Sequence, residues 1–231
     1  MGLGSVLPVV EKRTENVMAT AKLGYFLKDG ATRVPSVTTI LGRFKECGGL
    51  MNWAYECGRS GKDYREVRDS AANAGTMAHE AIEKWKKGEK VGFGDDDISS
   101  RAKSAYGAFL EWAEQTQLKI THTEVALVSE KYRFGGTLDA MLVSNKRSLG
   151  DWKTSNNVYG DYIAQVAAYG ILWEENFPDE PIHGGYHLLR FDKEYGDFHH
   201  SWWAEVESAK KFFLHLREAY ELDKELKKRA T

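Results

Sequence analysis

Two stretches near the middle of the chain decide its fold, Gly135-Gly136-Thr137-Leu138-Asp139 and Leu149-Gly150-Asp151-Trp152-Lys153-Thr154. Both read as strands, and the short connection between them predicts an antiparallel pair. Side chains two apart on a strand share a face, so Asp151 and Lys153 are neighbours. The pairing also lets Asp139 lie beside Asp151. Two carboxylates and an ammonium group are therefore expected to converge on one face of a sheet.

The segments around this pair predict a single domain of the α/β (α+β) class, a mixed central sheet flanked by helices. Residues 1–33 lack a sustained period and are predicted to form an N-terminal arm with one short strand near 23–27, before a domain at 34–231. The predicted helices are one that begins within 34–41, then 51–56 after a break at Gly48-Gly49, 65–87, Ser99 or Ser100 to about 117, 161–176 and 205–228. The predicted strands are 119–129, 132–143, 147–154, 182–191 and 198–203.

Composition narrows the class of protein. The 231 residues are 42% hydrophobic and 29% charged, as in ordinary globular proteins. The 32 Lys and Arg against 34 Asp and Glu give a net charge of −2, which taken alone argues against nucleic acid. Two cysteines exclude a four-thiolate zinc or iron–sulfur site and fit a reduced, cytoplasmic compartment. Without a signal-like start or a long apolar run, we expect neither secretion nor membrane association.

The acidic pair has a specific chemical use. Two carboxylates hold hard cations such as Mg²⁺ or Mn²⁺ and leave positions open for water and a phosphate oxygen. A nearby lysine orients or deprotonates the attacking water, which is the equipment of phosphodiester hydrolysis. The ordinary alternative is that Asp139 is a turn residue and that Asp151 and Lys153 form a surface ion pair. For an isolated Asp-x-Lys pattern the ordinary alternative is favoured.

Two further pairs change that balance. His79 and Glu83 lie one turn apart on the long predicted helix, and an imidazole is a natural additional ligand for Mn²⁺. Gln165 and Tyr169 have the same spacing on the helix after the second strand. Taken singly, His79 is better explained as a capped or solvent-facing histidine, and Gln165 with Tyr169 as a polar helix face with one core aromatic residue.

Taken together and in order, these elements resemble a known family. The set Gly75-x3-His79-x3-Glu83, Gly136-Thr137-Leu138-Asp139, Asp151-Trp152-Lys153-Thr154 and Gln165-x3-Tyr169 is similar to the RecB-type branch of the PD-(D/E)XK nuclease superfamily. In addition, Val34-Pro35-Ser36-Val37-Thr38-Thr39 is similar to an element of the mitochondrial genome maintenance exonuclease and its phage and bacterial relatives. The resemblance then covers nearly the whole chain.

The resemblance implies a restriction-endonuclease-like core and assigns roles to its residues. His79, Asp139, Asp151 and the backbone carbonyl of Trp152 would bind one or two Mg²⁺ or Mn²⁺ ions, and Lys153 would orient the nucleophilic water. Gln165 and Tyr169 would fix the active site and the DNA strand. Glu124, on the first strand of the meander, is a candidate supporting group or further ligand. Members with an iron–sulfur cluster carry four cysteines, so that cofactor is not expected here.

A channel for single-stranded DNA needs rings and cations rather than net positive charge, because bases stack on aromatic side chains. The candidate lining residues precede the long helix and are Arg43, Lys45, Trp53, Tyr55, Arg59 and Lys62. Ser36 and Thr38, at a predicted helix start, are candidates for holding a phosphate.

The resulting hypothesis is a metal-dependent DNA exonuclease in replication, recombination or repair, of a bacterium or a phage-infected cell, with a preference for single strands. A single-strand-annealing or single-strand-binding protein is a candidate partner. No Gly-x4-Gly-Lys-Ser/Thr loop occurs, so we expect no ATP requirement. Three alternatives stay open: a duplex-resecting enzyme like phage lambda exonuclease, a restriction-type endonuclease, and a non-catalytic DNA-binding protein that kept the fold.

Overall fold

A computed structural model describes residues 24–155 and 157–230. Its helices are α1 (Val37–Arg43), α2 (Gly48–Arg59), α3 (Tyr64–Lys86), α4 (Asp97–Gln115), α5 (Gly160–Asn176) and α6 (Glu207–Arg229). Its strands are β1 (Tyr25–Phe26), β2 (Arg33–Val34), β3 (Lys119–Ser129), β4 (Phe134–Val143), β5 (Arg147–Lys153), β6 (Tyr186–Phe191) and β7 (Phe198–Trp203).

The central sheet has five strands in the order β3-β4-β5-β6-β7. Neighbours run antiparallel except β5 and β6, which are parallel because the crossover helix α5 joins them. The predicted three-strand meander is confirmed, and so is the mixed sheet flanked by helices. Because α5 makes the crossover from β5 to β6, it follows directly after the strand that carries Asp151 and Lys153.

Alternation along the strands builds a core on each face of the sheet. Leu149 of β5 packs in a core with residues of α1, α5 and α6, among them Leu172 and Phe213. Trp152, on the opposite face of β5, packs with Phe109 and Trp112 of α4. Asp151 therefore shares the face of Leu149, as the two-residue period predicts.

Two helix starts differ from the predictions. Gly48 and Gly49 begin α2 instead of breaking a helix, because the first turn of a helix has free amides and tolerates glycine. The cap of α4 is Asp96, and the prediction of Ser99 or Ser100 was wrong. The Asp96 carboxylate accepts hydrogen bonds from the backbone N–H of Ser99 at 3.0 Å and from its hydroxyl at 2.6 Å.

The end of the predicted arm packs on the sheet. The short predicted strand is β1, which pairs antiparallel with β2, and the Tyr25 hydroxyl shares a 2.8 Å hydrogen bond with Thr137 Oγ1 of β4. The rest of the arm, residues 1–23, lies outside the described residues, and the division at residue 33 stays a prediction. Among the described helices, none has the length and hydropathy needed to span a bilayer.

Buried His187 and its exposed neighbour His200, whose ring packs against Trp112 of the second core, predict acid sensitivity. His187 Nδ1 and His200 Nε2 lie 2.8 Å apart, and burial, together with the neighbouring His200, lowers the pKa of His187 to about 4. The unfolded chain takes up a proton near the ordinary histidine pKa of about 6.5, whereas the folded chain resists it. Stability is therefore full above pH 6.5 and falls as the pH drops toward 4.

We expect the free energy of unfolding to fall by about 1–2 kcal/mol between pH 7.5 and pH 5 through this group. Urea unfolding at a series of pH values measures it. His187→Gln is expected to flatten the profile, while His215→Gln, at an exposed position of α6, leaves it unchanged. Equal slopes for the two variants would contradict the assignment.

Candidate active site

Three acidic residues lie at one level across β3, β4 and β5. The pairs Thr123–Ala140 and Val125–Leu138 put Glu124 opposite Asp139. The β4–β5 ladder ends at the pair Ala140–Gly150, and Asp139 and Asp151 follow it in register. The Asp139 carboxylate accepts a 2.7 Å hydrogen bond from the backbone N–H of Trp152, where the strand ladder ends. The sheet thus brings Glu124, Asp139 and Asp151 to one place, as predicted for the last two.

The Asp151–Lys153 pair is the most buried part of this level. Asp151 has no solvent exposure, and the Lys153 side chain is 14% exposed with Nζ 2.5 Å from Asp151 Oδ2. Burial raises the pKa of Asp151 to about 7, with Lys153 opposing and Asp139 adding to the shift. Burial lowers the pKa of Lys153, but Asp151 and Asp139 outweigh it and the net direction is upward. This is not the surface ion pair of the ordinary alternative.

Helix α3 brings His79 over the sheet. An added Cβ at Gly75 would lie 2.7 Å from Thr154 Oγ1, so glycine lets α3 come this close to the end of β5 without displacing that hydroxyl. One turn later, His79 Nδ1 lies 3.8 Å from Glu124 Oε1 and 3.9 Å from Asp139 Oδ1. Burial lowers the pKa of His79, whereas Asp139 and Glu124 raise it. The effect of the two carboxylates is the larger, so the net shift is upward.

Glu124 holds a backbone conformation that side chains rarely adopt. Its φ is +52°, in the left-handed region, inside strand β3. Such a conformation costs on the order of 1–3 kcal/mol and persists where the surroundings impose it, often at functional sites. Here it accompanies a carboxylate aimed at the same place as Asp139 and His79.

The arrangement fits a divalent cation. One ligand atom from each of His79, Glu124 and Asp139 lies within 4.8 Å of the others. Both oxygens of Asp151 are buried and accept no well-aligned hydrogen bond from any described residue, so the carboxylate is incompletely satisfied. Three carboxylates and an imidazole are donors that suit Mn²⁺ and Mg²⁺. For Trp152 the backbone N–H has a contact with Asp139, and ligation by its carbonyl stays a prediction.

A cleft leads to these residues. Its volume is about 470 Å³, and His79, Glu80, Glu83, Glu124 and Thr154 are among the residues that line it. Glu83 is held by Lys87, whose Nζ lies 2.6 Å from Glu83 Oε1. The cleft gives a phosphate and water access to the buried carboxylates from the α3 side.

Gln165 and Tyr169 of α5 lie near the acidic residues of the sheet. Gln165 Nε2 donates a 2.8 Å hydrogen bond to the Tyr169 hydroxyl, so the two groups are presented together. Burial raises the pKa of Tyr169 well above its usual value, and the charges of Asp151 and Asp139 add to the effect. Tyr169 therefore stays a neutral phenol beside the acidic residues. Its ring fits against Gly136, where an added Cβ would lie 2.8 Å away.

No protein-family model matches the chain, and no curated protein matches its sequence. The fold is similar to a candidate exonuclease from Eubacterium rectale, with 11% identity and a TM-score of 0.44. The match covers 63% of this chain and 64% of the Eubacterium rectale chain, so it spans slightly less than two thirds of that protein's length. It is also similar to the alkaline exonuclease LHK-Exo from Laribacter hongkongensis, with 15% identity and a TM-score of 0.33, over 67% of this chain and 84% of that one. The complex of LHK-Exo with dAMP gives 16% identity and a TM-score of 0.35.

These structural neighbours are described as exonucleases. At such low identities and TM-scores the likeness carries no argument about chemistry. The function therefore rests on the geometry of the site itself.

The predicted DNA-binding residues are more dispersed. Ser36 caps α1 by accepting a 3.0 Å hydrogen bond from the backbone N–H of Thr39, and Thr38 is exposed beside it. Arg43 forms an ion pair with Asp223 of α6, so its guanidinium group is already engaged.

On α2 and the loop that follows it, the candidates differ in availability. Trp53 packs edge-on against Tyr64 with ring centroids 6.3 Å apart. Arg59 pairs with Glu56 at 3.3 Å, while Lys62 is exposed without an ion pair among the described residues. Of these cations, Lys62 is the most available to a phosphate.

Sequence reasoning missed two residues at the site. Tyr25 hydrogen-bonds Thr137 next to Asp139, and burial raises the pKa of its phenol, which the Thr137 hydrogen bond opposes and Glu124 reinforces. Tyr162 of α5 lies under Lys153, with Nζ 5.0 Å from the ring centroid. No pattern marks Tyr25, whereas Tyr162 lies one turn before Gln165 on the same helix and so shares its face.

Proposed function

We propose that this protein is a metal-dependent DNA exonuclease that hydrolyses phosphodiester bonds from free ends. The observation that carries the proposal is the buried Asp151–Lys153 pair beside Asp139. His79 and Glu124 lie next to Asp139 and add two further candidate ligands. A buried, incompletely satisfied carboxylate is costly to keep, and burial of titratable groups in a cleft is typical of catalytic sites.

His79, Glu124, Asp139 and Asp151 would hold the cation, Mg²⁺ or Mn²⁺. A bound divalent ion lowers the pKa of its water and offsets the charge that develops on the phosphate. The chain's own residues supply the rest. Lys153 remains protonated between Asp151 and Asp139 and is positioned to orient a water and to offset negative charge.

Gln165 and Tyr169 would orient the strand. The Tyr169 hydroxyl already accepts the Gln165 hydrogen bond, so its own proton is free to be donated to a phosphate or to a ligand carboxylate. Because its pKa is raised well above the usual value, the phenol keeps that proton at neutral pH.

Single-stranded DNA is the substrate that we favour. Tyr55 is 63% exposed and Phe44 is 40% exposed on the segment that contains α1 and α2, and Lys62 follows α2. Such rings and cations suit unpaired bases and phosphates. We further propose that the reaction needs no ATP, and that a role in replication, recombination or repair would pair the enzyme with a single-strand-annealing or single-strand-binding protein.

The test uses oligonucleotides labelled at one end, single-stranded and duplex, with either Mg²⁺ or Mn²⁺. We expect stepwise release of nucleotides from linear single strands and no cleavage of a closed circular strand. Faster digestion of duplex ends would favour the duplex-resecting alternative, and cleavage of circles would favour an endonuclease. Metal-independent DNA binding without any cleavage would contradict the proposal.

The close approach of α3 to β5 makes a matched glycine prediction. Gly75→Ala is expected to lower the turnover number by about tenfold to a hundredfold, because the added Cβ pushes α3, and with it His79, away from Thr154. Gly107→Ala, inside α4 with open space around it, is the control. Each alanine adds about 1 kcal/mol of helix propensity. Only in Gly75→Ala does a clash offset this gain.

Turnover assays and urea unfolding of both variants check this. A Gly75→Ala protein with full activity and the added stability of Gly107→Ala would show that the close approach does not position His79.

A further inference from the structure

A second pocket lies beyond the candidate active site, between the ends of α3 and α4 and the start of β3. Its volume is about 570 Å³, and its lining includes Trp85, Lys86, Trp112, Thr116 and Lys119. The lining contains aromatic rings, a hydroxyl and two lysines, and no acidic residue. Such a lining suits a flat ring that carries negative charge nearby.

Two elements, α3 and β3, run from the active site to the pocket. Lys86 follows His79 by seven residues on α3, so it returns to the same helix face about 10 Å further on. Lys119 precedes Glu124 by five residues on β3, which is about 16 Å. A stacked DNA strand advances about 3.4 Å per nucleotide, so these spans correspond to roughly three to five nucleotides.

Lys86 and Lys119 line the pocket, and further lysines follow one another closely at the end of α3. The end of α3 and the turn after it read Lys84-Trp85-Lys86-Lys87-Gly88-Glu89-Lys90. Lys87 is held by Glu83, but Lys84, Lys86, Lys90 and Lys119 are exposed and form no ion pair with any residue in the described ranges. In a protein of net charge −2, such a cluster is a local site for phosphates rather than part of a general field.

Trp85 supplies the ring. It is 39% exposed and packs edge-on against buried Phe109, with ring centroids 5.1 Å apart. The edge contact limits the motion of the ring and leaves part of it open to the pocket. A base stacked there would meet an ordered ring, which lowers the entropy lost on binding.

We propose that this pocket binds one base of the single-stranded substrate, three to five nucleotides from the scissile phosphate, with the adjoining phosphates on Lys86 and Lys119. The inference rests on the proposed function for its substrate and adds a subsite that fixes how much strand the enzyme holds. The occupant is a nucleic acid strand because Lys86 continues the α3 face that carries His79, and Lys119 lies on the strand that carries Glu124.

Fluorescence anisotropy without added metal tests binding apart from cleavage, using labelled single strands of 3 and 12 nucleotides. Trp85→Ala and the double variant Lys86→Glu/Lys119→Glu are expected to weaken binding of the 12-mer by about tenfold or more. Binding of the 3-mer is expected to change little, because it does not reach the pocket. Tyr195→Ala, at an 86% exposed ring, and Lys103→Glu, on exposed α4 surface, are the controls.

The position of the subsite is tested with 12-mers that carry one abasic nucleotide at successive positions. One position is expected to weaken binding to the wild type and to have no effect on Trp85→Ala. Since loss of Trp85 removes a contact with Phe109, thermal unfolding is measured for each variant, and the lysine variants keep the test valid if Trp85→Ala unfolds.

Equal affinity of all variants for the 12-mer would overturn the inference. A second result would also overturn it: binding of an acidic peptide with a terminal aromatic residue at Trp85 without displacement of the 12-mer. The pocket would then be a protein-docking site. If DNA binds as expected but is not cleaved, the subsite stands and the proposed activity fails, so the two outcomes are separable.

Discussion

Lys153→Met is expected to lower the turnover number on single-stranded DNA by on the order of a thousandfold, with little change in KM. Lys153 Nζ lies 2.5 Å from Asp151 Oδ2, where it can orient a water and offset charge in the transition state. Methionine keeps an apolar side chain of similar length and removes the ammonium group, whose Nζ lies 5.0 Å from the centroid of the Tyr162 ring. Initial rates on an end-labelled oligonucleotide, measured over a range of substrate concentrations, separate the turnover number from KM.

The fold is expected to survive this change. Asp151 would lose its cation, but its pKa is already raised to about 7 by burial, so it can take up a proton instead of remaining a buried, unpaired charge. Lys103→Met, on exposed α4 surface, is the control and should keep full activity. Retained turnover in a folded Lys153→Met protein would remove Lys153 from the mechanism.

Much of the sheet could be predicted because period and spacing are local properties. The bounds of β3 and β7 match the predicted 119–129 and 198–203, since both runs alternate and end at polar turns. The neighbourhood of Asp139 and Asp151 followed from a short connection between two strands. The position of Glu124 depends on the register of β3 against β4, which shifts between Ile120 and His122, and that register is not a property of either strand alone.

The contacts that complete the site join distant parts of the chain and carry no local signal. Arg43, whose role in DNA binding stays a prediction, pairs with Asp223 of α6, 180 residues away. Tyr25 reaches Thr137 across 112 residues. A sequence pattern shows which residue types recur at which spacing. The burial that raises the pKa of Asp151 depends instead on how α1 and α5 pack over the sheet.

The cation itself is expected to stabilise the protein, independently of any cleavage. A ligand that binds only the folded chain adds about 2.7 kcal/mol to the free energy of unfolding at a concentration 100 times its Kd. For a domain of this size that is a rise in Tm of roughly 5–10 °C. The physical reason is that the cation relieves repulsion among Glu124, Asp139 and Asp151, two of which burial already drives toward the protonated form. Thermal unfolding in Mn²⁺, in Mg²⁺ and in EDTA measures the shift.

The substitution Asp139→Asn separates a bound cation from a general salt effect. It keeps the shape of the side chain and an oxygen that can accept the Trp152 hydrogen bond, but it removes the charge that lies between His79 and Asp151. The metal-dependent rise in Tm should then fall to a small fraction of the wild-type value, while Asp95→Asn, at an exposed loop position, keeps it. His79→Gln should reduce the Mn²⁺ shift more than the Mg²⁺ shift, because imidazole nitrogen is a better ligand for Mn²⁺. Equal shifts in all three variants would mean that the ion binds elsewhere, and the buried acidic level would then need another explanation.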